Sequence, residues 1–525
     1  MTIVGVDFGT ATTLVAAAGA WGPPSVAPVG RSTRWLPSLA RPVPGGFVVG
    51  EDAEESDPDR VVRSIKRAIT ERRRTVTIAG PDGPEDVDAD GAARAILVEL
   101  RRRAAAAGLA LDQQAVRLGC PAMWDGAQRR RLVDIATAAG LRVADAALVD
   151  EPVAAGLAWL THRYLGHTER PAGRLLVVDM GGGTLDIAVL SVAGGPTAEV
   201  SVLASLGVAM AGDALDVAIA RDLAAEMARN RIDVALHPQP DLAWALLERA
   251  GREAKLRLST VDEHPVVLPR ALGYPHVIRY TRPQLEAALA PQLDGAENLI
   301  VSALRAARVT RRSLGAAELR AIDRDELLAD IDFVLLVGGM SRVPYVGRRL
   351  GGLFPKAQVY ADAGVAPDEA VVAGLAGAGD ERVSLHRPGF DLVLAWSGGT
   401  HLLYQAYTPL YQPWQVYSGD SELAYEQRVR PPSVPSSGAG ELRAVAADGR
   451  IVPLVVDGLA TSGLPVRFGP GETVLRVYCD GLVTVADGSG AALAVRAERW
   501  PAVGSRGDTA LTFRRLSDPS PTVVT

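Results

Sequence analysis

Two distant segments of this chain are written in one grammar. The first reads Ile3-Val4-Gly5-Val6-Asp7-Phe8-Gly9-Thr10-Ala11-Thr12-Thr13, the second Leu175-Leu176-Val177-Val178-Asp179-Met180-Gly181-Gly182-Gly183-Thr184-Leu185-Asp186. Each is an apolar run closing on Asp, then Gly, then Thr, then a second apolar run, which predicts strand, tight turn, strand. Glycines in such a turn let backbone N–H groups approach phosphate oxygens with no Cβ in the way. An Asp at the strand end can hold hydrated Mg²⁺ beside those oxygens. Two such loops facing each other would grip one nucleotide from both sides.

Composition narrows the class. At about 150 residues per domain, the 525 residues make three or four units. A net charge of −6 does not favour a nucleic-acid partner, for which a basic stripe is expected, and Arg101-Arg102-Arg103 reads as a solvated helix end. Cys120 and Cys479 fall in different predicted domains, so no disulfide framework is expected and a reducing compartment fits. The histidines show no metal-ligand spacing. Asp7 interrupts the first apolar run, which is therefore no signal peptide, and no run is long and uncharged enough for a membrane span. The expected location is cytoplasmic. Arginine fills nearly every cationic position; the only lysines are Lys66, Lys255 and Lys356. A lysine kept in such a chain marks a place where a compact ammonium is wanted.

Residues 1–380 alternate strand and helix patterns, which predicts an α/β core. Strands are expected at Ile3–Asp7, Ala115–Cys120, Leu175–Asp179, Asp186–Ser191 and Phe333–Val337. The main helices are expected at Ala92–Ala107, Asp125–Ala139, Val153–Leu160, Ala214–Arg229, Leu242–Leu258, Arg282–Ala307, Val343–Leu350 and Pro367–Ala378. Residues 381–389 read as a linker, 390–515 as a smaller, mostly β domain, and 516–525 as a disordered tail. In the β region Asp-Gly recurs at 448, 457, 480 and 487, and Thr473–Tyr478 with Leu482–Val485 forms the clearest hairpin. Arg430–Gly440, rich in Pro, Ser and Gly, reads as a loop.

The two loops resemble those of the split ATPases of the actin–hexokinase–chaperone superfamily. Further segments narrow the resemblance to the 70-kDa heat-shock chaperone family: Pro121-Ala122-Met123-Trp124 with Arg129, Asp150-Glu151-Pro152-Val153-Ala154-Ala155, Val337-Gly338-Gly339-Met340-Ser341-Arg342-Val343-Pro344 and Ala366-Pro367-Asp368-Glu369. Ser64-Ile65-Lys66-Arg67 stands where that family has its catalytic lysine, after Leu36-Pro37-Ser38 and Val49-Gly50-Glu51. Glu253-Ala254-Lys255 and Leu258-Ser259 resemble its adenine-contacting helix. The resemblance covers residues 1–380, in order and in compatible register. It implies a two-lobed actin-like (ribonuclease H-like) ATPase domain that binds ATP or ADP with Mg²⁺.

The resemblance carries roles onto matching positions. Gly9, Thr10, Thr12 and Thr13 would face the phosphates opposite Gly181, Gly182, Gly183 and Thr184. Asp7 and Asp179 would flank Mg²⁺ through water. Asp179, Glu151 and Asp186 would orient the attacking water, Lys66 would reach the γ-phosphate, and Thr184 would join them as a catalytic residue. Gly338, Gly339, Arg342 and Asp368 would border the adenosine, with Lys255 and Ser259 on its other side. Pro121 and Arg129 match the family's relay to its second domain. Against these stand plainer readings: Lys66 as a surface lysine on a basic helix, Glu151 as an acid placed by the helix dipole, Pro121 as a turn proline and Arg129 as an exposed helix arginine.

Departures begin at the junction. The family has an acidic, leucine-rich linker there, whereas this chain reads Asp380-Glu381-Arg382-Val383-Ser384-Leu385-His386-Arg387-Pro388. No helical lid pattern follows the β region. Ala147 replaces the arginine that docks the J-domain co-chaperone, which counts against standard coupling to that partner. Phe390, Trp396, Tyr404, Tyr407, Tyr411, Trp414, Tyr417 and Tyr425 crowd one span; they read either as the core of the β domain or as a face for a protein or peptide client. An ATP-coupled chaperone and an ATP-gated switch for one dedicated partner both remain open. A small-molecule kinase on the same fold and an actin-like filament former fit less well.

Overall fold

Both glycine turns occupy the same place in two sheets built to one plan. The computed structural model describes residues 3–19, 22–56, 60–80, 83–164, 171–194, 200–312, 316–377, 382–384, 387–411, 423–446, 449–478, 481–499 and 510–516. In the first sheet β1 (Ile3–Phe8) pairs antiparallel with β2 (Thr12–Ala17) and parallel with β3 (Ala115–Cys120), which lies parallel to β4 (Val143–Asp150). In the second, β5 (Gly173–Met180) pairs antiparallel with β6 (Leu185–Val192), itself antiparallel to β7 (Val200–Val208). On the other side β5 lies parallel to β8 (Phe333–Val337), and β8 to β9 (Gln358–Tyr360). A short strand, β10 (Arg382–Ser384), extends this sheet beyond β7. The central strands are buried almost end to end, as their unbroken Val and Leu runs require of strands covered on both faces.

Helices complete a two-lobed, actin-like α/β architecture. α1 (Ile65–Thr70) follows Ser64, whose φ of 52° turns the chain sharply into the helix. α2 (Gly126–Ala138) is opened by a capping box between Asp125 and Gln128. α3 (Glu151–Arg163) begins directly at the end of β4, with Pro152 in its first turn. α4 (Gly212–Arg229) and α5 (Pro240–Leu258) belong to the second lobe. α6 (Ala370–Gly377) lies between the lobes. Its Val371 and Leu375 join Trp159 of α3 and Val177 of β5 in one core, while Val372 and Ala376 join Leu14 and Ala16 of β2 in another.

Two glycines permit that wedge. A Cβ at Gly5 would lie 2.6 Å from the Val372 carbonyl oxygen, and one at Gly374 only 1.7 Å from that of Ala154. Strands β4 and β7 carry no strand expectation from the sequence. β4 (VADAALVD) is alanine-rich, and β7 (VSVLASLGV) mixes Ser and Gly into its apolar run.

The C-terminal strands form two further sheets. One contains Gly399–Tyr404, Asp391–Trp396, Gly438–Val445, Ile451–Val452 and Leu464–Phe468; the other runs from Ala424–Val429 to Leu459–Thr461 in seven strands. Thr473–Tyr478 pairs with Leu482–Ala486 as a hairpin. Asp457 and Gly458, both at positive φ, turn Leu454–Val456 into Leu459–Thr461, the geometry that Asp-Gly supplies. Gly438–Gly440, expected in a loop, instead open a strand paired with Leu464–Phe468. Glycine is required there because a Cβ at Gly440 would sit 2.5 Å from the Phe468 ring.

Three rings of the aromatic span are interior and three more are partly buried. Phe390, Tyr404 and Tyr411 are buried, Trp396 meets Phe468 edge-on at 5.6 Å, and Tyr404 meets Tyr425 at 5.1 Å. Trp414 and Tyr417 lie outside the described residues, as do Asp380-Glu381, Leu385-His386, Asp448, Cys479-Asp480 and the tail from Ser517. Among the described residues no helix is long and apolar enough to cross a membrane.

Candidate functional site

The two glycine turns close with the same bond. Gly9 N–H donates to the Thr12 carbonyl at 3.0 Å, and Gly181 N–H to the Thr184 carbonyl at 3.0 Å. They face each other: a Cβ at Gly183 would lie 2.9 Å from Thr10 Oγ1, and one at Gly182 3.3 Å from Thr10 Cβ. The second turn is braced from behind by the start of α4, where Asp213 N–H donates to the Gly182 carbonyl at 2.6 Å. Ser64 Oγ, ahead of α1, donates to Asp213 Oδ2 at 2.7 Å and so ties the lobes together at this point. Thr13 is fully buried, and its hydroxyl shares a 2.9 Å hydrogen bond with Ser38 Oγ.

Around the turns lies a cluster of buried carboxylates. Asp7 is the last residue but one of β1, Asp179 the last but one of β5, and Asp186 sits directly across the ladder from Asp179. Like charges opposite each other in a ladder repel, and burial removes the water that would screen them. Burial pushes the Asp7 carboxyl up to about 7, with Glu151 adding to the rise and Lys66 opposing it. Burial, then Glu151, pushes Asp186 up to about 7 against hydrogen bonds from Thr184 and Ala122. Asp179 stands well above the carboxylate range, through burial and then Glu151, Asp186 and Asp7.

Lys66 is the cation of this cluster. Its ammonium contacts Glu151 Oε1, and both side chains are buried, so it is no surface lysine. Burial opposes its charge, yet Glu151 and Asp7 hold its pKa above the ordinary lysine value. When ionised, the four carboxylates outnumber the one ammonium, and among the described residues Asp186 Oδ2 is buried with no hydrogen-bond partner. That orphaned oxygen and that excess fit a divalent cation. Among the described residues no three His, Cys, Asp or Glu side chains converge to ligate one directly.

The raised carboxylates set a pH dependence. Asp7 and Asp186 bind protons in the native state that the unfolded chain has lost, so they make stability fall as pH rises from the ordinary 3.8 to about 7. Asp186→Asn keeps an oxygen for the Ala122 N–H and removes the charge. Without nucleotide, this variant is expected to melt above the parent at about pH 8, with the gap shrinking as pH drops towards about 4. Equal melting temperatures across that range would contradict the assignment.

The remaining candidates form two groups. Gly338, at φ +81°, donates its N–H to the Pro367 carbonyl at 3.1 Å, and a Cβ there would lie 2.4 Å from Asp179 Oδ1. Gly339–Arg342 form the next turn, and Arg342 pairs with Asp368 at 2.5 Å. On α5, buried Lys255 pairs with Asp216 at 2.6 Å and donates to the Gly212 carbonyl at 2.9 Å. Ser259 donates to the Lys255 carbonyl at 3.0 Å. Among the described residues no bond joins Lys255 or Ser259 to Arg342 or Asp368. A cavity of about 230 Å³ is lined by Thr10, Gly183, Thr184, Arg67 and Arg221, and a larger one of about 760 Å³ lies beside Ser64, Asp216 and Arg252.

Arg129 is buried too, not an exposed helix arginine. It donates to the Trp124 and Pro121 carbonyls at 2.9 and 3.3 Å and pairs with Asp150 at 2.7 Å. Its guanidinium also sits 5.9 Å from the centre of the Tyr407 ring, in the C-terminal unit.

The family model described as Hsp70 protein matches residues 3–380. The chain belongs to the Hsp70 family. Among curated relatives, the chaperone protein HscA of Edwardsiella ictaluri (strain 93-146) is 31% identical over 416 residues, 74% of this chain and 59% of the relative. The HscA homolog of Pseudomonas putida is 31% identical over 417 residues, with the same 74% and 59% shares. The chaperone protein DnaK of Thermotoga maritima is 30% identical over 386 residues, 71% of this chain and 58% of the relative. The chain thus spans about three fifths of the length of these Hsp70 relatives.

Sequence reasoning gave no role to Ser38, Asp150, Asp216 or Arg387. Ser38 and Asp150 stand inside quoted segments, so proximity to a motif was their signal. Asp216 was signalled by the rarity of lysine, since a buried lysine needs a buried acid. Arg387 had no local signal.

Proposed function

We propose that this Hsp70-family protein binds Mg²⁺ and ATP between its lobes, hydrolyses the ATP slowly, and couples nucleotide state to its C-terminal β unit as a chaperone-type protein. The observation that carries this reading is the buried Lys66–Glu151 pair set among Asp7, Asp179 and Asp186 beside two touching glycine turns. Phosphoryl transfer asks for charge neutralisation and a positioned water more than for covalent chemistry, and this residue set is suited to both.

In this reading the N–H groups and hydroxyls around Gly9, Thr10, Gly181–Gly183 and Thr184 bind the phosphates. Asp7 and Asp179 would hold Mg²⁺ through its water shell, where the ion supplies charge neutralisation at the phosphate oxygens. Glu151 and Asp186 accept hydrogen bonds from the attacking water and fix its direction. Lys66 offers a compact positive charge to the γ-phosphate. Gly338 and Gly339 leave room for the adenosine, with Arg342 and Asp368 at its edge and Lys255 and Ser259 on the facing lobe. Pro121 and Arg129 connect this centre to the β unit.

A second reading, an ATP-gated switch for one dedicated protein partner, is favoured by the burial of Phe390, Tyr404 and Tyr411. Those aromatics give an apolar client no surface. Calorimetry with ATP and Mg²⁺ tests the common premise, and absence of uptake overturns both readings. Turnover measured with and without an unfolded apolar peptide then separates them. Stimulation is expected of the chaperone, flat turnover of the switch.

A further inference from the structure

Arg387 stands just ahead of the first C-terminal strand, yet its side chain is buried where the two lobes meet. Its guanidinium makes three separate contacts. It pairs with Asp150 Oδ1 at 3.3 Å, donates to the Ser205 carbonyl on β7 at 3.2 Å, and donates to the Ala122 carbonyl in the turn after β3. Nη1 makes the first contact and Nη2 the other two, so the rigid guanidinium spreads its donors wider than a compact ammonium would.

Each contact leads into the candidate catalytic centre within two residues. The Ala122 N–H donates to Asp186 Oδ1 at 2.7 Å, so Ala122 is held by Asp186 at its N–H and by Arg387 at its carbonyl. Asp150 is followed directly by Glu151, the partner of Lys66. Ser205 lies two residues before Gly207, where a Cβ would come within 2.1 Å of Asp186 Oδ1. Asp150 is shared with Arg129 and accepts from Ser205 Oγ. Burial of Asp150 works against its charge, but Arg129 and Arg387 hold its carboxyl below the ordinary range.

We infer that Arg387 is a positioning residue for ATP hydrolysis, fixing Asp186 through Ala122 and Glu151 through Asp150. The inference rests on the ATPase reading above. It also gives the β unit a direct hold on the chemistry. Pro388, next in the chain, accepts a hydrogen bond from Tyr407 N–H at 2.9 Å. Movement of the β unit relative to the lobes therefore displaces the Arg387 fork.

The test is steady-state ATP turnover in the full chain. Arg387→Gln is expected to lower kcat about ten- to a hundredfold while KM for ATP stays within about twofold, the pattern of an interaction used in the transition state. Arg387→Lys keeps the buried charge without the fork; it folds and shows the same pattern to a smaller degree. Arg130→Ala breaks the exposed Arg130–Asp391 pair at the same interface and is expected to leave kcat within about twofold. Parental kcat in folded Arg387→Gln or Arg387→Lys overturns the inference, as does a loss in Arg130→Ala equal to that in Arg387→Gln. A parent protein that binds ATP and never cleaves it instead overturns the ATPase reading, and the positioning role falls with it.

Discussion

Lys66→Ala is expected to leave ATP bound and to cut its turnover by about 10²–10³-fold, the scale seen when one preorganised charge is taken from a developing anion. The same change has a second consequence. Lys66 and Glu151 are both buried, and removing one partner leaves the other as an uncompensated charge, at about 3–5 kcal/mol. Loss of Lys66 also strips the cation that opposes the rise of Asp7, Asp179 and Asp186. A bare loss of activity is therefore ambiguous between lost chemistry and lost fold. Lys66→Ala with Glu151→Gln removes both charges and is expected to recover most of the stability, because a neutral amide needs no counterion. It is expected to recover none of the turnover. Single-turnover cleavage beside a denaturation midpoint reads the two effects apart, and parental kcat in Lys66→Ala would refute the catalytic role.

What could be read in the sequence was local. The glycine turns, the Asp at each strand end and the Asp-Gly hairpins are specified by neighbouring residues. Ala115–Cys120, Phe333–Val337 and Thr473–Tyr478 fall on strands with the very bounds their patterning gives. The two halves of the site share a motif, so their meeting is legible from repetition alone. Partnerships made only by the tertiary fold were not legible. Thr13 read as a phosphate ligand, but whether its hydroxyl turns outward depends on where Ser38 arrives, and Ser38 bonds it inside the lobe. Lys255 read as an adenosine contact, and its nearest anion, Asp216, comes from a different helix. The crowd of aromatics after Phe390 carried no strict alternation, so composition alone could not say which rings face inward. Arg387 is the extreme case. Nothing beside it in the chain marks an arginine that will be buried between two lobes and a third unit.

Gly374→Ala is expected to destabilise the protein by roughly 3–5 kcal/mol, beyond the ordinary overpacking range, because the clash is with backbone. The added methyl would lie 1.7 Å from the Ala154 carbonyl oxygen and 2.5 Å from its carbon. A side chain could rotate away from such a contact; a carbonyl inside a helix cannot move without its helix. α3 and α6 must therefore separate, and α3 carries Glu151 at its first position. Alanine also favours a helix over glycine by about 0.5–1 kcal/mol, but that gain is too small to offset the clash. Gly347→Ala isolates the propensity effect. It lies within the helix Pro344–Gly351, and a Cβ there meets nothing within 4 Å. That variant is expected to raise the urea midpoint slightly, whereas Gly374→Ala lowers it strongly and reduces ATP turnover in whatever protein remains folded. Should Gly374→Ala match the parent in both, α6 slides freely against α3, and the position of Glu151 does not depend on the helix wedged between the lobes.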